Sequence, residues 1–132
     1  FQVIWNERWS VDNVVLVGDA LRTAHFSIGS GTRLAMEDAI ALRKALRETG
    51  SVPEVLARFR ELRLPPMKKI WDAANVSLRW YEHMGENMKL DPVEFAYSYM
   101  TRTGRVNHAA VRRRDLGLAE AYERLHPEVK AA

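Results

Sequence analysis

The sequence predicts a mostly helical chain organised around a single strand–loop–helix unit. Three observations carry that expectation. Val14–Val17 is a continuous β-branched-rich run, the one strong strand signal in the chain. A loop punctuated by glycine follows, from Gly18 to Gly31. From Thr32 onward almost every stretch has either helical periodicity or helix-ending punctuation. The expected architecture is one buried strand plus four to five helices, with residues 1–50 forming the strand–loop–helix unit and residues 51–132 a carboxyl-terminal helical region.

In chain order, Phe1, Val3, Ile4 and Trp5 form a first apolar cluster whose weak alternation suits an edge strand or an irregular lead-in. Asn6–Asn13 is polar and turn-rich, and Asp12-Asn13 marks a turn before the strand. The unbroken apolar character of Val14–Val17 predicts burial on both faces. Such a strand needs neighbours for its backbone donors and acceptors. The expectation is that those neighbours lie mostly in chain outside this sequence. Phe1 opens the sequence within what reads as structure, with no initiator methionine, which also leads us to expect a fragment.

A helix is expected from Thr32 to Glu48, with Ala35, Ala39, Leu42 and Leu46 on its apolar face and Met36 and Ile40 beside it. Gly50 ends it. Ser51 and Glu54 have capping-box spacing and open a second helix to Arg63, which Pro65-Pro66 breaks before a third begins. The third carries Met67, Ile70, Trp71, Ala74, Leu78 and Tyr81, and ends near Met84-Gly85. Asp91-Pro92-Val93-Glu94 is a further start signal: a cap, a proline at the first helical position and a glutamate that reaches back. A last helical segment spans Asn107–Leu125 with an interruption near Gly117, and His126-Pro127 closes it.

Bulk properties exclude several classes. The chain has 132 residues, 47% hydrophobic and 28% charged, which describes a globular domain or part of one. A formal charge of +3 is too small an excess to imply nucleic acid. The absence of cysteine removes disulfides, thiolate metal sites and thiol nucleophiles. No apolar run approaches the roughly 18–20 residues of a membrane span, so no membrane association is expected; with no cysteine and no secretion signal, a cytoplasmic setting is the default.

The chemistry is expected in the loop. Gly18 permits close backbone approach, and Asp19 at the strand's carboxyl end offers an acceptor pair for ribose or ribityl hydroxyls. Gly29 and Gly31 let the loop pass a flat ligand. The helix that starts near Thr32 aims free amides and the positive end of its dipole at that ligand. On pattern alone a turn followed by a helix cap would look the same.

Gly18-Asp19-Ala20, His25-Phe26, Gly29-Ser30-Gly31-Thr32-Arg33 and Glu37-Asp38-Ala39 stand in an order and spacing that resemble the second flavin-binding motif of the FAD-dependent aromatic hydroxylases, the flavoprotein monooxygenase family. The stretches NERW, VVLVGDALRTAHFSIGSGTRLAMEDAIAL and YMTRTGRVNH extend the likeness over nearly the whole chain, toward the branch that hydroxylates salicylyl-CoA and 2-aminobenzoyl-CoA. The amino-terminal Gly-x-Gly-x-x-Gly of that family does not occur in this sequence, so the resemblance implies the carboxyl-terminal part of such an enzyme. It further implies an α/β FAD-binding fold as the parent architecture, FAD as cofactor, NAD(P)H as reductant, and an aromatic acid or aryl-CoA as substrate. Cofactor contacts fall by analogy on Gly18, Asp19, Gly29, Ser30, Gly31 and Thr32, and substrate-side contacts on His25 and Phe26. The isolated chain is expected to be inactive, to lack the amino-terminal FAD-binding region as a partner, and to be open to self-association. Three positions depart from the general family pattern: Arg22 replaces histidine, Phe26 proline and Arg33 asparagine.

Plainer readings stand beside these. His25 could equally be a loop histidine bonded to backbone, and Phe26 a packing residue. Glu37 and Asp38 occupy adjacent helical positions and point apart, and their place near the helix start is explained by its dipole, so no catalytic role is assigned to them. No other catalytic residue stands out. Arg102, Arg105 and Arg112-Arg113-Arg114 could meet CoA phosphates or form a solvated face. The alternative function is a basic helical module that binds nucleic acid or a protein partner through the last helix; the Gly-Asp to Glu-Asp-Ala spacing argues against it.

Overall fold

A computed structural model describes residues 2–130, so the expectation for Phe1 lies outside the described residues. The chain divides into two compact units, one reaching to Asn75 and the other beginning at Val76. As expected it is mostly helical, with a two-stranded sheet among the described residues.

The strand differs from expectation. Val14–Val15 (β2) pairs antiparallel with Ser10–Val11 (β1), Ser10 opposite Val15 and Val11 opposite Val14. Asp12-Asn13 makes the two-residue turn, Asp12 at φ 50°, in the left-handed region that such tight hairpin turns require. Val14 and Val17 are exposed. A two-residue hairpin has no layer to cover both its faces, so the apolar run is not buried on both sides. The lead-in does pair: Asn6 N–H donates to Leu21 O at 3.0 Å, and Thr23 N–H to Ile4 O at 3.0 Å, with Trp5 opposite Arg22.

Helix α1 spans Gly31–Glu48. Its buried stripe is Leu34, Asp38, Ala41 and Ala45, one position away from the face expected from apolar residues alone. Ala39 and Leu46 are exposed, as are Met36 and Ile40. The displacement has a physical reason. A charged residue at position 38 argues against burial on any hydropathy count, yet Asp38 is fully buried because arginines neutralise it.

Helix α2 runs from Val52 to Glu82, straight through Pro65-Pro66, where the sequence predicts a break. Both prolines are exposed. The buried residues Val55, Phe59, Arg63, Met67, Ile70 and Ala74 form one stripe at helical spacing on either side of them. Continuity of that stripe against the core outweighs the two missing amide donors. The start is as expected: Glu54 accepts from the Ser51 amide at 3.1 Å and from its hydroxyl at 2.8 Å. The first unit's core gathers Trp9, Leu21, Leu34, Ala41, Ala45, Val55, Phe59, Met67 and Ile70.

The second unit contains α3 (Met84–Asn87), α4 (Pro92–Thr101), α5 (His108–Arg114), α6 (Leu116–Leu125) and α7 (Pro127–Lys130). Asp91 caps α4 with the full reciprocal box and Pro92 opens it, as the sequence predicts. The interruption expected near Gly117 falls at Asp115, whose carboxylate accepts from the Leu118 amide at 3.0 Å and restarts the helix. Tyr97 of α4 stacks on Tyr122 of α6, ring centroids 3.5 Å apart and planes within 6°. Trp80 packs against Phe95 and Tyr99 and donates its indole N–H to Ser98 Oγ at 2.8 Å. Among the described residues no helix is long and apolar enough to cross a membrane.

Candidate functional site

After β2 the chain tightens into a 3-10 turn, Gly18–Ala20, with Gly18 at φ 57°. Glycine is needed here twice over. The backbone conformation is left-handed, and a Cβ would stand 3.3 Å from Ala35 Cβ on α1. A second 3-10 turn, Phe26–Ile28, closes on Gly29 at φ 60° and leads into Ser30 and α1. His25 caps that turn, its Nδ1 accepting from the Ser27 amide at 3.3 Å.

These turns and the start of α1 bound an open cleft of about 700 Å³, lined by Asp19, Thr23, Ala24, Phe26, Gly29, Ser30, Gly31, Thr32 and Ala35. Of the residues nominated from sequence, Asp19, Gly29, Ser30, Gly31, Thr32 and Phe26 meet there. Gly18 stands behind, against α1. His25 is buried and is not among the lining residues. Phe26 is 76% exposed and flanks the cleft, its ring 4.3 Å from that of His25.

The cleft's character follows from its lining. Ser30 precedes α1 without a side-chain cap, and the first turn has no acidic residue, so the amides and dipole of an 18-residue helix face the lining uncompensated. Nothing lies within 4 Å of where a Cβ would stand at Gly29 or Gly31. Their backbone is bare on that side. The exposed Asp19 carboxylate adds the one anionic group of the lining.

Behind the cleft lies an arrangement that sequence reasoning missed. Asp38 accepts from Arg22 through both oxygens, at 2.6 and 3.0 Å, from Arg63 Nε at 2.9 Å and from the Gly18 amide at 2.9 Å. Arg22 Nη1 also reaches Gly18 O at 3.3 Å. Arg63 extends to Glu37 at 3.1 Å, and Glu37 binds Arg33 at 2.7 Å. The Arg33 hydrogen bond is the main influence on the Glu37 carboxyl, which is held below the ordinary glutamate value. A signal was available in the sequence: Asp38 lies at the i+4 position from Leu34 and the i−3 position from Ala41, within an otherwise apolar stripe.

In the second unit, Tyr97 Oη lies 3.1 Å from His108 Nδ1, and His108 Nε2 lies 2.9 Å from Glu123, which Arg112 also pairs. With the imidazole neutral, the phenol donates to Nδ1 and Nε2–H donates to the carboxylate. Burial raises the Tyr97 pKa, so its proton stays on the phenol. Arg112 is thus held internally. Arg102 lies 4.1 Å above the Tyr99 ring and donates to Ser77 Oγ at 3.0 Å. Two of the five arginines nominated as an anion-binding face are engaged within the unit.

No family model matches the chain. Curated relatives do. Salicyloyl-CoA 5-hydroxylase of a Streptomyces species is 46% identical over 98 residues, covering 72% of this chain and 19% of that protein. 3-hydroxy-4-methyl-anthranilyl-(aryl-carrier protein) 5-monooxygenase of Streptosporangium sibiricum is 43% identical over 84 residues, 64% of this chain and 24% of that one. An FAD-dependent monooxygenase of Aspergillus versicolor is 33% identical over 91 residues, 62% of this chain and 18% of its own length. The chain therefore spans about a fifth to a quarter of the relatives it matches. The alternative of a nucleic-acid module is not favoured, since these relatives are hydroxylases and monooxygenases. By these relationships the chain belongs to the flavoprotein monooxygenase family, as one portion of its members' length.

Proposed function

We propose that the cleft is the flavin-ring side of an FAD site. The protein that carries it is then an FAD- and NAD(P)H-dependent monooxygenase that hydroxylates an aromatic acid held as a thioester, in the first place a CoA thioester. One observation carries this reading: the Gly18-Asp19 to Glu37-Asp38-Ala39 spacing coincides with an open cleft at an uncapped helix start. Residues 1–50 then belong to the flavin-binding part and residues 51–132 to a carboxyl-terminal helical region, in a cytoplasmic enzyme.

The lining fits a flavin. Bare backbone at Gly29 and Gly31 suits a flat ring system laid against it. The first-turn amides of α1, at Gly31 and Thr32, suit an electron-rich ring edge. Asp19 can accept hydrogen bonds from ribityl hydroxyls. Gly18 contributes by position, since it sets where Asp19 starts. Bound there, FAD supplies the redox chemistry by which one oxygen atom of O2 reaches the aromatic ring. The chain's own residues bind and orient. Phe26 offers an apolar wall for the aryl group, and His25 fixes the turn that presents Phe26. The thioester assignment is supported by two relatives whose names specify CoA-bound and carrier-protein-bound aryl acids.

The test uses the complete protein. Purified protein should be yellow, with flavin absorbance, and Asp19→Ala should lose flavin on gel filtration while keeping its far-ultraviolet circular dichroism. A complete protein that is colourless and takes up no FAD on reconstitution would rule the reading out.

A further inference from the structure

Asp38 is fully buried and receives four donors from three residues of the first unit. Arg22 comes from the end of the Gly18–Ala20 turn, Arg63 from α2, and the Gly18 amide from the turn itself. Side-chain exposure is 1% for Arg22, 0% for Asp38 and 5% for Arg63. Charge explains why the group persists in the interior. Two guanidinium groups face the buried Asp38, and Arg63 also reaches the partly exposed Glu37, so neither arginine lies in the interior without a carboxylate.

The consequence for the cleft is geometric. Both polar groups of Gly18 are fixed: its N–H by Asp38 Oδ2, and its carbonyl by Arg22 Nη1 and by the amides of Leu21 and Arg22 at 3.1 Å. Asp19 is the next residue, and its carboxylate stands on the cleft lining without a hydrogen bond of its own to steer it among those described. The backbone that positions Asp19 is thus held by a clamp of Arg22, Asp38 and Arg63. The Asp38 carboxylate that holds Gly18 belongs to α1, two turns after the amides of Gly31 and Thr32. One side chain therefore sets the distance between Asp19 and the helix start, the two polar features of the cleft.

We propose that Arg22, Asp38 and Arg63 are positioning residues of the flavin site, which hold the Gly18–Ala20 turn and the α1 start in register so that both engage one ligand. This rests on the FAD reading above. Arg22, where the wider family has histidine, is here the residue that bridges both oxygens of Asp38.

The experiment measures FAD affinity of the complete apoprotein by quenching of flavin fluorescence, well below the unfolding temperature, together with the visible circular dichroism of the bound flavin. Arg22→Met should weaken FAD binding by about tenfold or more and alter the flavin dichroism. Arg22→Lys keeps the charge but reaches one oxygen, and should fall between Arg22→Met and the unmodified protein. Arg63→Lys should weaken binding in the same direction. If Arg22→Met does not fold, the two lysine variants decide by the same readout. Folded variants that bind FAD with unchanged affinity and dichroism, differing only in unfolding temperature, overturn the proposal and leave the clamp a purely structural feature. Asp19→Ala separates the two readings. If it too binds FAD normally, the site assignment has failed. If it loses FAD while the arginine variants do not, the clamp alone has failed.

Discussion

At the residue scale, Asp38 and Glu37 are neighbours with opposite fates. The sequence treats them alike, as acids near a helix start. In the fold Glu37 lies partly exposed between Arg33 and Arg63, whereas Asp38 is sealed between Arg22, Arg63 and the Gly18 amide. Asp38→Ala should cost about 3–5 kcal/mol in urea unfolding, because it takes from the buried Arg22 and Arg63 the carboxylate they share. Glu37→Gln should cost less, about 1 kcal/mol, because its carboxylate is partly exposed and Arg63 keeps its bond to Asp38. Equal losses would contradict this ordering. In the second unit, Glu123 is held below the ordinary glutamate value of 4.5, chiefly by the Arg112 hydrogen bond and then by His108. A depressed folded value stabilises the fold above pH 4.5 and loses that contribution as pH falls through the folded value. Glu123→Gln should therefore lower the urea midpoint at neutral pH, with the gap to the unmodified chain closing in acid. A gap that stays constant with pH would mean the charge is not the source.

At the scale of elements, local chemistry was legible wherever it was self-contained. The Asp91-Pro92-Glu94 start of α4 needs only its own residues, and it forms as written. The Ser51–Glu54 start of α2 is another such case. Pro65-Pro66 shows the limit. A local rule predicts a break, but Met67, Ile70 and Ala74 continue the buried stripe of Val55 and Phe59, and packing prevails. The prolines are exposed, so their removal sacrifices no core contact. Pro66→Ala restores an amide donor and should stabilise the chain by about 2 kcal/mol, the helix-interior penalty of roughly 3 less about 1 for a looser unfolded state. An unchanged or lower urea midpoint would show that α2 accommodates the proline without cost.

At the scale of the whole molecule, the cleft of the proposed FAD site is half a cradle. Its lining offers bare glycine backbone, a helix start and one carboxylate, and the sequence holds no Gly-x-Gly-x-x-Gly to receive a dinucleotide's pyrophosphate. The 132-residue chain alone should bind FAD at least about a hundredfold more weakly than the complete protein, by fluorescence titration, and should catalyse no hydroxylation. Comparable affinity, or turnover by the chain alone, would show that the site is self-sufficient. Exposure of Val14, Val17, Met36 and Ile40 agrees with apolar faces that the first unit does not itself cover.

The sequence by itself determined the helical class, the starts of α1, α2, α4 and α5, and most of the loop residues that line the cleft. Each of these depends on chemistry within a few residues, or on a spacing that can be counted along the chain. Tertiary structure alone decided which stripe of α1 is buried, that α2 runs through its prolines, and that β2 pairs as a short hairpin. It also decided that Arg22 and Arg63, 16 and 25 residues from Asp38, converge on it. Burial of a charge depends on partners distant in sequence, and hydropathy reads any lone aspartate as a surface residue. The cleft could be read from the loop; what holds it in place could be read only once α1, α2 and the Gly18–Ala20 turn had been brought together.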